Sequence, residues 1–400
     1  MNLDVSRAEL FAEHRWHEPF RWLRENAPVH YCADSKHGPY WSISTDQPIV
    51  EIEANPEIFS SSHNNGVTSI TIAERPPGKG FPNFIRMDSP EHSEQRRVVS
   101  PAFSPSEMAR LSMDIRKRTG DVIDALPMDE AFDWVDRVSV ELTTQMLAVL
   151  FDFPWEDRRL LPFWSDVAGN IEEFNDPETQ ETRLRHLGEM GAHFQRLWDE
   201  RASGEAAPDL LTRMIRSEVT GNMSMNEFIG ALTLLIIGGN DTTRNTMSAA
   251  IYALDKFPEQ RKMLEADPAL IDNAVTEIIR WQTPLAHMRR NATADVEFHG
   301  QRIRAGDKVV LWYVSANRDE SIFAAADILD IKRENARRHL SFGYGVHRCV
   351  GARLAELQVR ILLEEMAARR IRVKVLEEPE RVAQSFVNGY EAMTVMASHY

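Results

Sequence analysis

The sequence predicts a mainly α-helical protein with small antiparallel β-sheets at one side, and three observations carry that expectation. Helical apolar periodicity fills most of the chain between about residue 90 and residue 285 and returns over about 350–370. One helix, opening at Ser224, is so long and so apolar that it must be central. Extended patches are short and fall mainly in two regions, about 27–60 and 290–315.

In chain order, Val29 to Tyr31 and Tyr40 to Ser44 alternate aromatic and β-branched residues with polar ones and read as strands. The long helix begins with Ser224-Met225-Asn226-Glu227, a capping box in which Ser and Glu satisfy each other's orphan backbone N–H groups. It runs apolar to Leu254 before Phe257-Pro258 stops it, roughly 45 to 50 Å at 1.5 Å per residue. Asp267-Pro268 supplies an N-cap and a proline for a further helix that ends before Pro284. Turn pairs between apolar runs from Val296 to Val314 predict a small hairpin region. No repeat or Gly/Ser linker interrupts the chain, so one domain over 1–400 is expected.

Lys and Arg number 46 against 61 Asp and Glu, a net charge of −15, and no basic run relieves it, which argues against nucleic acid as a partner. A hydrophobic fraction of 43% is ample for a buried core. Two cysteines, Cys32 and Cys349, are too few for a disulfide framework and point to a reducing compartment. The N-terminus lacks a signal-peptide pattern, and the longest apolar run, Leu232 to Ile237, is far short of a membrane span. A cytoplasmic protein without a transmembrane segment is the expectation.

Several familiar sites are missing. Phe342-Gly343-Tyr344-Gly345-Val346-His347-Arg348 begins like a dinucleotide loop, but Arg348 stands where a third glycine belongs. Gly78-Lys79-Gly80 lacks the hydroxyl residue of a phosphate-binding loop, and no His-Glu-x-x-His or Gly-x-Ser-x-Gly occurs. What remains is Phe342-x-x-Gly345-x-x-x-Cys349-x-Gly351, a glycine-rich loop entering a helix near Val350. A cysteine at a helix N-terminus is expected to have a lowered pKa and to be a soft metal ligand, while the glycines admit a large planar group and Phe342 walls it. Cys32 has no such context and reads as structural.

This loop resembles the haem-ligand signature of the cytochrome P-450 superfamily. The resemblance runs from Pro90 to the Phe386-Val387-Asn388-Gly389 turn and implies haem b held through the Cys349 thiolate, with Phe342, Gly345, His347 and Gly351 around it. Gly238-Gly239-Asn240-Asp241-Thr242-Thr243, midway along the long helix, looks like the oxygen-activation segment. Paired glycines weaken a helix by roughly 1 kcal/mol each, and their small size would let haem and O2 approach the backbone. The resemblance assigns Thr242 to hydrogen-bonding the dioxygen and Asp241 to proton supply, the two sharing one poorly solvated groove. Glu277-Ile278-Ile279-Arg280 matches the family's Glu-x-x-Arg, with Arg318 as a third, structural partner. For the haem propionates it implies His92, Arg96, His347 and Arg290, with Arg289 as the rival to the last.

The wording of the central segment, of His287-Met288-Arg289-Arg290 and of Arg348 is similar to bacterial hydroxylases acting on the terminal carbon of alkanes and fatty acids, and terpenoid or sterol side-chain hydroxylases share part of it. Family placement puts Leu234, Ile237, Gly238, Leu285, Ala286, Phe386 and Val387 on the wall of a channel for an apolar small molecule, under a lid loop from Val67 to Phe84. No electron-transfer segment is fused, which implies a [2Fe-2S] ferredoxin and ferredoxin reductase drawing on NAD(P)H, and Arg97, Arg348 and Arg353 form a basic island to meet it. A peroxide-driven hydroxylase would usually lack the Asp241-Thr242 pair, and a non-catalytic haem sensor would need a signalling output that this chain does not resemble.

Overall fold

Capping chemistry sets the ends of the principal helices. The computed structural model describes residues 3–62, 68–70, 81–169, 177–204 and 209–400. From the N-terminus run α1 (Ala8–Ala12), α2 (His17–Asn26), β1 (Val29–Cys32), β2 (Tyr40–Ile43), α3 (Asp46–Glu53) and β3 (Phe59–Ser60). There follow α4 (Glu91–Val99), α5 (Pro105–Asp124), β4 (Ala131–Asp133), α6 (Glu141–Phe151), α7 (Leu160–Gly169), α8 (Pro177–Ala202), α9 (Leu210–Ile215), α10 (Met225–Lys256), α11 (Pro258–Ala266) and α12 (Ile271–Gln282). The last part holds β5 (Met288–Ala292), β6 (Val296–Phe298), β7 (Gln301–Ile303), β8 (Lys308–Leu311), α13 (Tyr313–Ala316), α14 (Ala352–Ala368), β9 (Ile371–Val375), β10 (Glu380–Arg381), β11 (Tyr390–Ala392) and β12 (Thr394–His399).

Helix α10 is the expected central rod, 32 residues and so about 48 Å long. Its capping box forms as the sequence predicts, with the Ser224 N–H donating to Glu227 Oε2 at 2.8 Å. The Asp267 carboxylate caps a single tight turn at Pro268, and α12 proper begins at Ile271. Thr283, at φ 46°, ends α12 in the left-handed region, and its hydroxyl returns to the Arg280 carbonyl at 2.8 Å. The strain of a β-branched residue there is tolerated because the Asn317 amide holds the same hydroxyl at 2.8 Å.

The predicted hairpin region resolves differently. Only β6 and β7 form a hairpin, through His299 and Gly300 at φ 48° and 76°, the geometry of a two-residue turn matched to strand twist. Strand β8 instead enters a five-stranded sheet of order β1-β2-β8-β5-β3, parallel to β2 and antiparallel to β5. The C-terminal strands were not expected: β12 lies between β4 and β9, and β10 pairs with β11. Helices α1, α2 and α3 likewise stand outside the expected helical ranges.

Apolar burial gathers around α10. Phe151, Phe194, Leu232 and Ile236 belong to one core, and Trp134, Ile251, Ile278 and Leu362 to a second on the other half of the rod. Ile43, Ile52, Val309 and Leu311 pack beneath the five-stranded sheet, and Trp16, Phe20 and Trp312 tie the N-terminal helices to it. Cys32 is buried among the last group, its thiol 3.4 Å from the Asp34 carbonyl. Among the described residues no helix is long and apolar enough to cross a membrane.

Candidate active site

Between α10 and the loop before α14 lies a largely apolar cavity. Of the two cysteines only Cys349 lines it. The loop is shaped by Gly343 and Gly345 at φ 67° and 64°, and a Cβ at Gly345 would stand 2.4 Å from the Glu53 carbonyl oxygen. The Cys349 N–H donates to the Phe342 carbonyl at 2.8 Å, which closes the loop, and Phe342 and Gly351 line the cavity beside it. Helix α14 begins at Ala352, two residues later than expected. Burial pushes the Cys349 pKa up, against the pull of the Gly351 and Ala352 backbone N–H groups and the Arg96 guanidinium, which favour the thiolate. That corrects the expectation of a simply lowered thiol.

At one side of the cavity a group of polar side chains converges. His92 and His347 lie with ring centroids 4.1 Å apart, and both nitrogens of His92 and Nε2 of His347 are buried without a hydrogen-bond partner. Burial pushes the His92 pKa down to about 4 and that of His347 well down too, so both rings are neutral at pH 7 and offer N–H donors. Arg96 enters from α4 and bonds the Arg348 carbonyl at 2.5 Å. Strand alternation sends Arg290 to the cavity, while Arg289 is buried elsewhere on Asn291 at 2.9 Å. Two arginines with two unpartnered imidazoles make a donor set that fits a pair of carboxylates, and a cysteine facing open space fits a metal centre; the residues present suit haem.

Above the thiol, Leu234, Gly238 and Thr242 recur every four residues along α10 and face the cavity. Both glycines line the cavity; the space beside Gly238 is open, whereas a Cβ at Gly239 would meet Leu147 Cδ2 at 2.8 Å, so the second glycine also answers to helix packing. Thr242 Oγ1 donates back to the Gly238 carbonyl at 3.0 Å. Asp241 does not share the groove. Its buried carboxylate turns to α7, accepting from Ser165 Oγ at 2.8 Å and from Asn240 at 3.1 Å, with Arg244 at 3.5 Å. Burial pushes the Asp241 pKa up, against the pull of Arg244. Arg244 continues to Asp166 at 2.8 Å, which is exposed.

Leu285 lines the cavity, but four of the expected wall residues do not. Ile237 is rotated off the cavity stripe and packs on the helical core; Ala286 is buried with Trp16 and Trp312; Phe386 packs its ring on His287; and Val387 bridges to Leu285. The wall is completed by residues the sequence did not disclose, among them Phe84, Phe103, Met146, Leu150 and Met288. They come from four separate segments, and none carries a local signal. The expected lid falls partly outside the described residues.

Glu277 and Arg280 form the expected ion pair, bidentate at 2.7 Å and fully buried. The third partner is Arg333, whose Nε lies 3.1 Å from Glu277, and not Arg318. Arg318 instead pairs with Asp327 at 3.3 Å and stacks over Trp16 and Trp281.

Comparison with known proteins agrees with this geometry. Residues 128–382 match the family model described as Cytochrome P450. The linalool 8-monooxygenase of Pseudomonas putida is 34% identical, with 98% of each chain covered, and the methyl-branched lipid omega-hydroxylase of Mycobacterium tuberculosis is 32% identical over 94% of this chain and 90% of its own length. Among solved structures, cytochrome P450-153 from Novosphingobium aromaticivorans is 53% identical with a TM-score of 0.93, covering 99% of this chain and 100% of the other. CYP153D17 from Sphingomonas sp. PAMC 26605 is 57% identical with a TM-score of 0.94, covering 99% of each. The chain belongs to the cytochrome P450 family. It is a monooxygenase whose cofactor is haem, using O2 and NAD(P)H-derived electrons delivered by redox partners.

Proposed function

We propose that the whole chain works as one cytoplasmic catalytic unit that hydroxylates the terminal carbon of an alkane or medium-chain fatty acid, with electrons from a ferredoxin. The observation that carries this reading is the apolar lining of the cavity that holds both the thiol and Thr242, to which Leu234, Leu285, Phe84, Met288 and Leu150 contribute. Terminal C–H bonds are stronger than those of neighbouring methylenes, so selectivity rests on a surface that presents only the chain end. The similarity to a lipid omega-hydroxylase supports the same reading.

In this proposal Cys349 ligates the iron, and Arg96, Arg290, His92 and His347 hold the haem carboxylates. Bound there, the haem activates dioxygen. Thr242 keeps a hydroxyl at the cavity wall, and Asp241, the proposed proton carrier beside it, has its carboxyl pKa pushed up by burial and is tied through Arg244 to the exposed Asp166. Phe342 and Gly351 leave a flat face for the macrocycle. Exposed Arg348 and Arg353 join Arg337 and Arg360 around Glu356 on the outer side of the cysteine loop, which suits an acidic electron carrier.

The test is a reconstitution with ferredoxin, its reductase and NADH against alkanes, fatty acids and terpenes. Product oxidised at the chain end supports the reading, and product only at internal carbons sinks it. Similarity to linalool 8-monooxygenase favours a second reading, hydroxylation of a terpenoid side chain, which the terpene arm detects.

A further inference from the structure

Glu53, the last residue of α3, is a carboxylate buried in the wall of the haem cavity, and none of the roles above uses it. It stands at a crossing of four segments. Glu53 Oε1 accepts from the Tyr313 hydroxyl at 2.7 Å and from Arg290 Nη2 at 3.1 Å, while Oε2 accepts from the backbone N–H of Tyr344 at 2.8 Å. Gly345 lies against its backbone so closely that no side chain fits there. One anion thus grips α13, the strand that carries Arg290 and the cysteine loop itself.

A buried carboxylate is costly unless donors surround it, and here one of those donors is a cation the haem carboxylates also need. Arginine presents several N–H groups in a rigid plane, so an ion pair on one edge fixes the direction of the others. Arg290 Nη1 is further held by the Arg289 carbonyl at 3.0 Å. We propose that Glu53 is a positioning residue of the haem-carboxylate cradle: by its ion pair it aims Arg290 at a propionate and couples that cation to the loop bearing Cys349. This rests on the haem site alone and stands or falls independently of the substrate.

The experiment measures haem loss from the holoenzyme to excess apomyoglobin, for Glu53→Gln, Arg290→Gln and the double variant. Glu53→Gln keeps an acceptor for Tyr313 but no charge. It is expected to lose haem about tenfold faster, with the reduced carbon monoxide band still of thiolate type at the start. Because Glu53 acts through Arg290, the double variant is expected to lose haem no faster than Arg290→Gln. A wild-type rate for Glu53→Gln, or additive effects of the two substitutions, overturns the proposal. Should Arg290→Gln fail to hold haem, Arg290→Lys, which keeps the charge without the planar fork, closes the same cycle.

Discussion

Ser165 on α7 donates a 2.8 Å hydrogen bond to the carboxylate of Asp241 on α10, and both side chains are buried. Helix α7 is thereby latched to the acid proposed for proton supply. Removing the hydroxyl withdraws a bond that favours the ionised carboxylate, so Asp241 titrates higher still. The pH profile of turnover for Ser165→Ala is expected to move upward, and Asp241→Asn to lower turnover by about 10²-fold. An unmoved profile in both would remove Asp241 from the proton path.

Thr242 bonds the Gly238 carbonyl and faces the cavity, so its hydroxyl is held in place by its own helix. Thr242→Ala is expected to divert reducing equivalents to hydrogen peroxide, with product per NADH falling several-fold and Thr242→Ser restoring most of it. Product yield and peroxide measured together check this.

Buried neutral histidines predict acid sensitivity. Burial lowers the pKa of His287 and His339 to about 3, whereas both titrate near 6.5 when unfolded. The unfolded chain therefore binds protons first. Stability is complete above about pH 6.5 and falls toward pH 4, by about 1.4 kcal/mol per pH unit for each histidine in that window. His287 is the most enclosed, with Nδ1 on the Ser385 carbonyl at 2.9 Å and Nε2 accepting from the Ile70 N–H at 3.2 Å. Urea unfolding at pH 7.5 and pH 5 should differ less for His287→Asn than for the parent; equal slopes would refute the assignment.

Glu277 neutralises Arg280 and Arg333 with both side chains sealed from water. Glu277→Gln leaves two guanidinium groups facing one amide and is expected to cost about 3–5 kcal/mol, read from the urea midpoint. Arg333→Lys should cost nearly as much, because an ammonium cannot also reach the Ala324 and Ile328 carbonyls that Arg333 holds.

The architecture and the cysteine loop were legible because their signals are local. The capping box, the apolar rod and the Phe342 to Gly351 spacing each lie within a few turns of chain. Glu53 was not legible, since it meets Arg290 across 237 residues and nothing near it marks a carboxylate as buried. Arg333 and Arg318 are equally plain arginines until the fold brings one of them to Glu277. Ile237 was misplaced by helical phase: Leu234, Leu235, Gly238, Gly239, Thr242 and Thr243 share the cavity face, and Ile237 falls between them in sequence, on the side that packs on the core. Asp241 was misplaced for a related reason, as its neighbour Thr242 takes the cavity face and leaves it the side toward α7.

Between α13 and Arg333 the backbone is irregular, yet guanidinium groups brace it. Arg280 takes the carbonyls of Asn317 and Ala326, and Arg333 those of Ala324 and Ile328. Ordinary connecting segments accept insertions and deletions because little depends on where each peptide falls. Here the carbonyls of Asn317, Ala324, Ala326 and Ile328 are fixed sockets, so this stretch should keep its length through descent while the exposed turn at His299 and Gly300 remains free to vary.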